Sequence, residues 1–312
     1  MNDLASIVVT SYNHAEYLAQ RMDSILAQTY ENMEIVVVDD CSTDNSLEIL
    51  NKYASHPKVK IFPLQKNGGY ANACNFGVSQ CRGEFVMFAE CDDFNSPEHV
   101  AALMQALNSH PSAVAAYCRS HIVDSCGNTL RDDYQCREPS FRNICANSAL
   151  IPAKIMQRFL LRSCVIPNMS AAMFRRTEFL KIGGLSTKFT ACADWDFWCR
   201  LAERGDVYYV ATPLNFFRTH PESVRSTFSM QRQVCEMMEL LDASANRLSL
   251  TFTERISFNV ALGDIWAGQF SANPTAWVKS FWPILKKSTS YSIFSILYLC
   301  ISVCKILRRK IA

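Results

Sequence analysis

The sequence predicts an α/β fold in which helices flank a mostly parallel sheet, followed by a helical appendage. Up to residue 113, short runs that are apolar throughout alternate with segments of helical periodicity, which is typical of a parallel sheet covered on both faces. The chain has 312 residues, of which 49% are hydrophobic, so it can bury one large core and a smaller second one. Residues 229–312 show helical patterns without such runs, and they predict the appendage.

The first four strands are predicted from apolar runs that are too short to be typical helices. Ile7–Val9 is β-branched, and the segment after it carries apolar residues at helical spacing between Tyr17 and Leu26. The later runs are Glu34–Val38, Val59–Phe62 and Phe85–Ala89, each followed by a helical segment. We expect the crossovers between these strands to be right-handed.

After residue 113 the alternation becomes irregular. Val114–Tyr117 is predicted as a strand, and the polar stretch 124–150 as a variable region that faces a substrate. Further strands are predicted at Met169–Phe174, Val207–Val210 and Leu214–Phe217. A helix between Asp194, at or near its N-cap, and Gly205 completes this part.

Polar clusters follow the four parallel strands at the point where each strand ends. They are residues 10–13, Asp39 with Asp40, residues 67–69 and residues 90–93. Because ligands bind at the carboxyl ends of the strands in open α/β sheets, we predict one ligand crevice there. For each cluster alone a structural role remains open: the aspartates can cap the next helix, and Gly68-Gly69 can form a turn.

Three acidic side chains lie within four positions at the end of the fourth strand. Glu90, Asp92 and Asp93 need a cation if they are to gather at one sheet edge, and oxygen ligands suit Mg²⁺ or Mn²⁺. The alternative is that Asp92, Asp93 or Ser96 caps the helix that begins near Pro97.

A nucleotide is the ligand that these residue types favour. A carboxylate can accept the imide N–H of uracil, the Tyr12 ring can stack on a base, and a metal ion can neutralise a diphosphate. The loops contain neither Gly-x-Gly-x-x-Gly nor Gly-x-x-x-x-Gly-Lys, so dinucleotide dehydrogenases and P-loop enzymes are disfavoured.

Together, four motifs resemble those of the family 2 inverting glycosyltransferases with the GT-A fold, of the bacterial polysaccharide or O-antigen type. The motifs are Val9–Asn13, Val37–Asp44, Ala89–Asp93 and Ala193–Leu201. This resemblance covers about residues 4–226. It implies a GT-A-type sheet with a Rossmann-like nucleotide-binding half, and we predict a GT-A domain at 1–226 and a helical, basic region at 227–312.

The resemblance also implies roles for individual residues in binding a nucleotide sugar. The residues that would hold the nucleoside, uridine in the first instance, or the rest of the nucleotide sugar are Thr10, Tyr12, Asp40, Asn67, Gly69 and Glu90. Asp92 would bind Mn²⁺ or Mg²⁺, and His220 would contact the diphosphate or the metal. A loop residue without a ligand is the alternative for His220.

The implied reaction is a metal-assisted single displacement by a hexosyltransferase. Asp194, as general base, would take a proton from a hydroxyl of a glycan or lipid-linked acceptor while that hydroxyl attacks the anomeric carbon. Three positions depart from the family pattern: Glu90 replaces an aspartate, Cys74 an arginine and Ala193 a glutamate. A nucleotide-sugar-binding sensor without turnover, and a sugar nucleotidyltransferase, stay open as alternatives.

Charge and cysteine content predict where the protein works. The net charge is +2, but from Ile265 onward the chain has seven basic and no acidic residues. Residues 288–308 predict an amphipathic helix that lies on an anionic membrane surface, or else packs on the core. The 14 cysteines form no Cys-x-x-Cys pair and the N-terminus lacks signal-peptide features, so we predict a cytoplasmic protein, peripheral on the inner face of the cell membrane. The basic residues form no continuous polar groove, so nucleic acid is not expected as a partner.

Overall fold

The computed structural model describes residues 3–136, 139–219 and 229–258. These residues fall into two compact units. The first comprises the described parts of 1–159, 164–188 and 193–221, and the second the described parts of 160–163, 189–192 and 222–312. The predicted boundary at residue 226 and the amphipathic segment 288–308 lie outside the described residues.

One sheet forms the centre of the first unit. Its strands within the described residues are β1 (Ala5–Ser11), β2 (Met33–Asp39), β3 (Val59–Pro63), β4 (Phe85–Glu90), β5 (Phe94–Asn95), β6 (Ala113–Val123), β7 (Thr129–Asp132), β8 (Ala149–Ile151), β9 (Ala172–Arg175) and β10 (Asp206–Arg218). The order along the sheet is β3-β2-β1-β4-β9-β6-β10-β5, while β7 pairs with β6 and β8 with β10.

The first four strands are all parallel, as the sequence predicts, and β6 and β10 are parallel to each other. Strand β9 is antiparallel to both β4 and β6, and it joins the two halves. The two strands predicted at Val207–Val210 and Leu214–Phe217 are one strand, β10, whose register shifts around Pro213. Proline has no N–H to donate, so the ladder bulges there but does not end.

Helices pack against the sheet of the first unit. The helices described in that part of the chain are α1 (Ala15–Leu26), α2 (Ser46–Asn51), α3 (Tyr70–Gln80), α4 (His99–Ser109), α5 (Pro139–Ile144), α6 (Ala153–Leu160), α7 (Arg176–Lys181) and α8 (Ala193–Ala202). Of these, α1, α3 and α4 pack directly on the sheet. The second unit contains α9 (Met230–Arg247), and residues 252–258 are also helical. No helix among them is long and apolar enough to cross a membrane.

The core lies on both faces of the parallel strands because β1 and β2 are buried along their whole length apart from Thr10. Ile7 packs in a cluster with the α1 residues Leu18 and Met22. On the other face α3 lies close to β1, since a Cβ at Gly77 would come within 2.4 Å of the Val8 side chain. Each large aliphatic side chain buried in this way contributes about 1.5–3 kcal/mol.

An aromatic cluster fixes α8 against the sheet. The Phe197 ring of α8 lies 6.4 Å from Phe88 of β4, 5.1 Å from Phe174 of β9 and 5.7 Å from Phe179 of α7, as measured between ring centroids. Aromatic pairs at these distances add to the stabilisation by burial. The first turn of α8 is therefore held in a defined place relative to β4.

In the second unit, Ser229 caps the start of α9, and its hydroxyl accepts a hydrogen bond from the Arg232 N–H. The Glu236 carboxylate of α9 accepts the backbone N–H groups of Thr190 and Ala191 and pairs with Arg232 at 2.9 Å. These bonds hold the short segment 189–192 on α9.

Candidate active site

The polar ends of the parallel strands lie side by side at one edge of the sheet. Thr10 at the end of β1 is in register with Glu90 of β4 on one side and with Val38 of β2 on the other. Ser11 is in register with Asp39, and the Asp40 N–H donates to the Ser11 carbonyl at 2.8 Å. The predicted site residues at these strand ends are therefore neighbours across the sheet.

The loops after β1 and β2 hold each other in place. The Asn13 amide oxygen accepts the Thr43 N–H at 2.8 Å, and the Asn13 N–H donates to the Ser42 hydroxyl at 3.0 Å. Asp39 accepts both the N–H and the hydroxyl of Ser42, at 3.0 and 2.6 Å. Tyr12 is 42% exposed beside these loops, so its ring is accessible for stacking on a base.

Asp40 is buried and binds the loop that leads into α3. Its two carboxylate oxygens accept the N–H groups of Gly68 and Gly69, each at 2.8 Å, so it does not act as the cap of α2. The Asn67 side-chain oxygen also accepts the Gly69 N–H, at 2.9 Å. Gly69 has φ +85°, which favours glycine, and it directly precedes α3. Hydrogen bonds to the Gly69 N–H thus join Asp40 and Asn67.

The acidic loop after β4 contains carboxylates with perturbed ionisation. Burial, and then the neighbouring Asp92 charge, raise the pKa of Asp93 to about 7. Burial also raises the pKa of Glu90, to which the charges of Asp93, Asp92 and Asp194 add. Burial and the neighbouring carboxylates thus favour the neutral forms of Glu90 and Asp93, and a bound cation would favour their ionised forms.

Asp92 and Asp93 differ in how deeply they are buried. Asp93 is 1% exposed, and its carboxylate accepts the Arg218 N–H at 3.0 Å and a short bond from the Asn168 side-chain amide. The Asp93 carboxylate therefore has a structural role, whereas Asp92 is only partly buried. The cap position of α4 is occupied by Glu98, so the predicted alternative of a capping role does not describe Asp92, Asp93 or Ser96.

Two buried arginines, for which the sequence motifs predict no role, contact this loop. Arg21 of α1 donates from Nε to the Glu90 carbonyl at 2.8 Å and makes a short bond to the Asn95 side chain. Arg218, at the end of β10, donates from Nε to the Asp92 carbonyl at 2.7 Å. Arg21 had a signal in the sequence, because it follows the buried Leu18 by three positions on the apolar side of α1.

A ladder of buried amides continues from these arginines. The Asn95 amide donates to Asn215 at 2.8 Å, and Asn215 donates to Ser120 at 2.9 Å and to Asn168 at 3.1 Å. The four residues come from chain positions that are far apart, so no local pattern in the sequence could predict their association.

Asp194 lies in the first turn of α8, and its carboxylate accepts the Trp195 N–H at 2.8 Å. Its charge contributes to the raised pKa values of Glu90 and Tyr70, so Asp194 is within electrostatic reach of the acidic edge. Arg200 of the same helix donates to the Ile182 carbonyl at 2.9 Å and to the Gly184 carbonyl at 2.8 Å.

The turn before α8 is also tied to α3. The Asn75 side chain donates to the Leu185 carbonyl at 2.9 Å and accepts the Leu185 N–H at 2.8 Å. Beside it, Cys74 occupies the position of the family's arginine and is fully buried against Thr10 and Tyr70. Burial raises the pKa of the Cys74 thiol, so this position presents a neutral group where the family pattern has a cation.

Within the described residues, no group of three or more His, Cys, Asp or Glu side chains is arranged to hold a metal ion. A site built on Asp92 therefore needs oxygens from a ligand, and magnesium-type ions in phosphate sites are bound in that way. His220, the second predicted metal residue, lies outside the described residues.

The fold matches structures that were solved in complex with nucleotide sugars. TarS from S. aureus, solved in complex with UDP-GlcNAc, matches with a TM-score of 0.69 at 18% identity over 91% of this chain and 81% of that chain. The mannosyltransferase PcManGT from Pyrobaculum calidifontis, in complex with GDP-Man and Mn²⁺, matches with a TM-score of 0.59 at 18% identity over 98% of this chain and 88% of that chain. The fold is that of the GT-A glycosyltransferases, as the sequence predicts.

The sequence also identifies the family. The profile described as glycosyl transferase family 2 matches residues 6–183, and the chain belongs to this family of transferases. Chondroitin synthase of Escherichia coli is 29% identical over 208 residues, which are 66% of this chain and 28% of that protein. The chain spans 28 to 43% of the first curated relatives that it matches.

Proposed function

We propose that this glycosyltransferase moves a sugar from a UDP-sugar to a hydroxyl of a glycan or lipid-linked acceptor, with inversion at the anomeric carbon. One observation carries the proposal: Thr10, Asp40 and the acidic loop 90–93 lie at one sheet edge, with Asp194 in electrostatic reach of Glu90. A nucleotide diphosphate and an acceptor hydroxyl can meet between these two sides.

The donor would lie along the strand ends. The exposed Tyr12 ring is available to stack on the base, and the Asp40 carboxylate retains lone pairs beyond those that accept Gly68 and Gly69. The N-terminus of α3 follows directly after Gly69, and a helix N-terminus favours a diphosphate. The UDP-GlcNAc bound to TarS supports uridine as the base, whereas the GDP-Man of PcManGT indicates that the fold alone does not select it.

The acidic loop fits a divalent cation, Mn²⁺ or Mg²⁺. Asp92 would hold it together with diphosphate oxygens, and the mutual repulsion of Glu90, Asp92 and Asp93 would be reduced. When bound, such an ion neutralises the charge that grows on the leaving diphosphate. The Mn²⁺ in PcManGT supports this assignment.

Asp194 would serve as the general base. Its carboxylate lies at the start of a helix fixed by the Phe197 cluster, so it has a defined position from which to accept a proton from an acceptor hydroxyl. One base and no covalent intermediate give a single displacement, which inverts the anomeric configuration. A base in hydrogen-bond reach accelerates such a step by about 10²- to 10⁴-fold.

Release of UDP from UDP-sugars in the presence of Mn²⁺ tests the proposal. We expect Asp194→Asn to lower the rate of release by about 10²- to 10⁴-fold while UDP still binds. Glu48→Gln provides a control, because Glu48 is also a carboxylate in the first turn of a helix, α2, but it is exposed and lies outside the proposed site. A thermal-shift panel of nucleotide sugars would identify the donor.

The outcomes distinguish the alternatives. Unchanged release by the Asp194→Asn variant would remove Asp194 as the base. Tight UDP binding by the wild-type protein without turnover of any donor would favour the sensor. Formation of pyrophosphate from UTP and a sugar 1-phosphate would favour a sugar nucleotidyltransferase.

We also propose that the basic C-terminal region associates with an anionic membrane surface on the cytoplasmic side. The seven cationic residues after Ile265 and the amphipathic pattern at 288–308 support this, and a lipid-linked acceptor would be reached from that surface.

A further inference from the structure

Arg218 makes an unusual set of contacts for a buried cation. Its side chain is held by backbone carbonyls: Nε donates to the Asp92 carbonyl at 2.7 Å, and Nη1 donates to the carbonyls of Ser125 at 2.5 Å and Asp124 at 3.2 Å. The residue is 2% exposed. One guanidinium thus joins the acidic loop to the turn between β6 and β7.

The same side chain also reaches α1. Nη2 donates to the Gln20 side-chain oxygen at 2.5 Å, and the guanidinium carbon lies 4.6 Å from the centre of the Tyr17 ring and 5.5 Å from that of Phe94. In addition, the backbone N–H of Arg218 donates to the Asp93 carboxylate at 3.0 Å. Three chain segments therefore meet on this residue, and the acidic loop is held at both Asp92 and Asp93.

These contacts determine where the Asp92 carboxylate can lie. A bond to a backbone carbonyl fixes the orientation of the peptide group, and so the direction of the side chain on the same residue. Two residues before Asp92, the Glu90 carbonyl accepts the Arg21 Nε–H at 2.8 Å and the Asp93 N–H at 3.2 Å. With both carbonyls held and Asp93 bound by Asn168, the backbone on each side of Asp92 has little freedom to turn.

We propose that Arg218 is a positioning residue for Asp92, which it orients toward the cation and diphosphate. This inference rests on the proposed function, in which Asp92 binds Mn²⁺ or Mg²⁺ with a nucleotide diphosphate. Lysine keeps the charge but places all its donors on one nitrogen, so it cannot reproduce the fork that spans the two segments.

Arg175 offers a matched control. It is also mostly buried and also binds backbone carbonyls, those of Ala113 and Leu107, each at 2.9 Å. It pairs with Glu84 at 3.1 Å and is in register with Phe85, at the opposite end of β4 from Glu90. Its replacement should cost stability without affecting the acidic loop.

The test compares Arg218→Lys with Arg175→Lys by calorimetric titration of Mn²⁺ into protein saturated with UDP. We expect Arg218→Lys to raise the Kd for Mn²⁺ by about 10- to 100-fold, as removal of a group that orients a metal ligand does. The Kd for UDP without metal should not change. Arg175→Lys should leave the Kd for Mn²⁺ unchanged even though its Tm falls.

An equal Kd for Mn²⁺ in both variants would overturn the positioning role while leaving the proposed function intact. If wild-type protein with UDP binds no Mn²⁺, the proposed metal-assisted function fails, and the positioning role fails with it. Should Arg218→Lys not fold, Gln20→Ala replaces it, because Gln20 is exposed and its loss releases only Nη2. Then a raised Kd for Mn²⁺ supports the role, and an unchanged one overturns it.

Discussion

At the scale of single residues, two adjacent glycines before α8 differ in what surrounds them. Gly183 and Gly184 have φ values of +78° and +73°, a region that favours glycine. A Cβ added at Gly183 has no described atom within 4 Å, whereas one at Gly184 would lie 2.4 Å from the Asn75 side-chain oxygen. That oxygen also accepts the Leu185 N–H, so Gly184 lies against the contact that ties the turn at 183–185 to α3.

We expect Gly183→Ala to lower the free energy of unfolding by about 1–2 kcal/mol, which is the cost of a left-handed backbone for alanine. Gly184→Ala should cost more, because it adds the clash with Asn75 to the same backbone strain. It should also lower the rate of UDP release, since the Gly184 carbonyl, which accepts a hydrogen bond from Arg200 of α8, would move. Urea unfolding of both variants measures the difference, and equal losses would contradict the role of the Asn75 contact.

For Asp40, the sequence predicts the position in the fold but not the role. Its position after an apolar strand predicts the sheet edge, but it leaves helix capping and ligand binding as alternatives. The structure removes capping, because both oxygens accept N–H groups of the 67–69 loop. That loop is 28 residues away, so no local pattern could reveal the pairing.

At the scale of elements, the amino ends of the parallel strands are joined by Glu34 of β2. Its carboxylate accepts the Ser6 hydroxyl at 2.8 Å, the Arg82 N–H at 2.6 Å and the Arg82 Nε at 2.8 Å. The Glu34 side chain is 4% exposed. This one buried carboxylate of β2 therefore binds both β1 and the segment that precedes β4.

Glu34 makes stability depend on pH. Burial alone would raise the pKa of Glu34, but the hydrogen bonds from Arg82 and Ser6 outweigh it and hold that pKa below its ordinary value of 4.5. The ionised carboxylate therefore stabilises the fold above about pH 4.5, and this stabilisation is lost as the pH falls through the lower pKa of the folded state.

We expect Glu34→Gln to lower the free energy of unfolding by about 1–3 kcal/mol at neutral pH, because it weakens bonds to a buried carboxylate. The difference in the free energy of unfolding between this variant and the wild type should shrink as the pH is lowered below about 4.5. Urea unfolding at a series of pH values measures it. Glu84→Gln is the control, since Glu84 is 52% exposed in its pair with Arg175 and should change stability by less than about 1 kcal/mol. A gap that stays constant with pH would exclude ionised Glu34 as its cause.

At the scale of the whole molecule, charge is divided unevenly along the chain. The stretch from Ile265 onward has seven basic residues and no acidic residue, while the rest of the chain has 24 basic and 29 acidic residues. Such a division predicts different partners for the two parts.

Deletion of residues 288–312 should therefore release the protein from vesicles that contain phosphatidylglycerol. Replacement of Lys305, Arg308, Arg309 and Lys310 by glutamine is the matched variant, which keeps the apolar run and removes charge. We expect it to weaken binding, and added salt to weaken wild-type binding as well. Flotation of the vesicles measures the bound fraction, and an unchanged fraction after the deletion would contradict membrane association.

The sequence by itself determined the parallel half of the sheet, the GT-A fold and the family, because these depend on uniformly apolar strands and on motifs at the strand ends. It did not predict that β9 joins the two halves of the sheet, or that β10 is one bulged strand. Only the tertiary structure decided that Asp93 is held by Arg218 and Asn168, residues 125 and 75 positions away. The physical reason is that periodicity and capping act within a few residues, whereas a buried polar group takes whichever partner the packing of the elements brings to it.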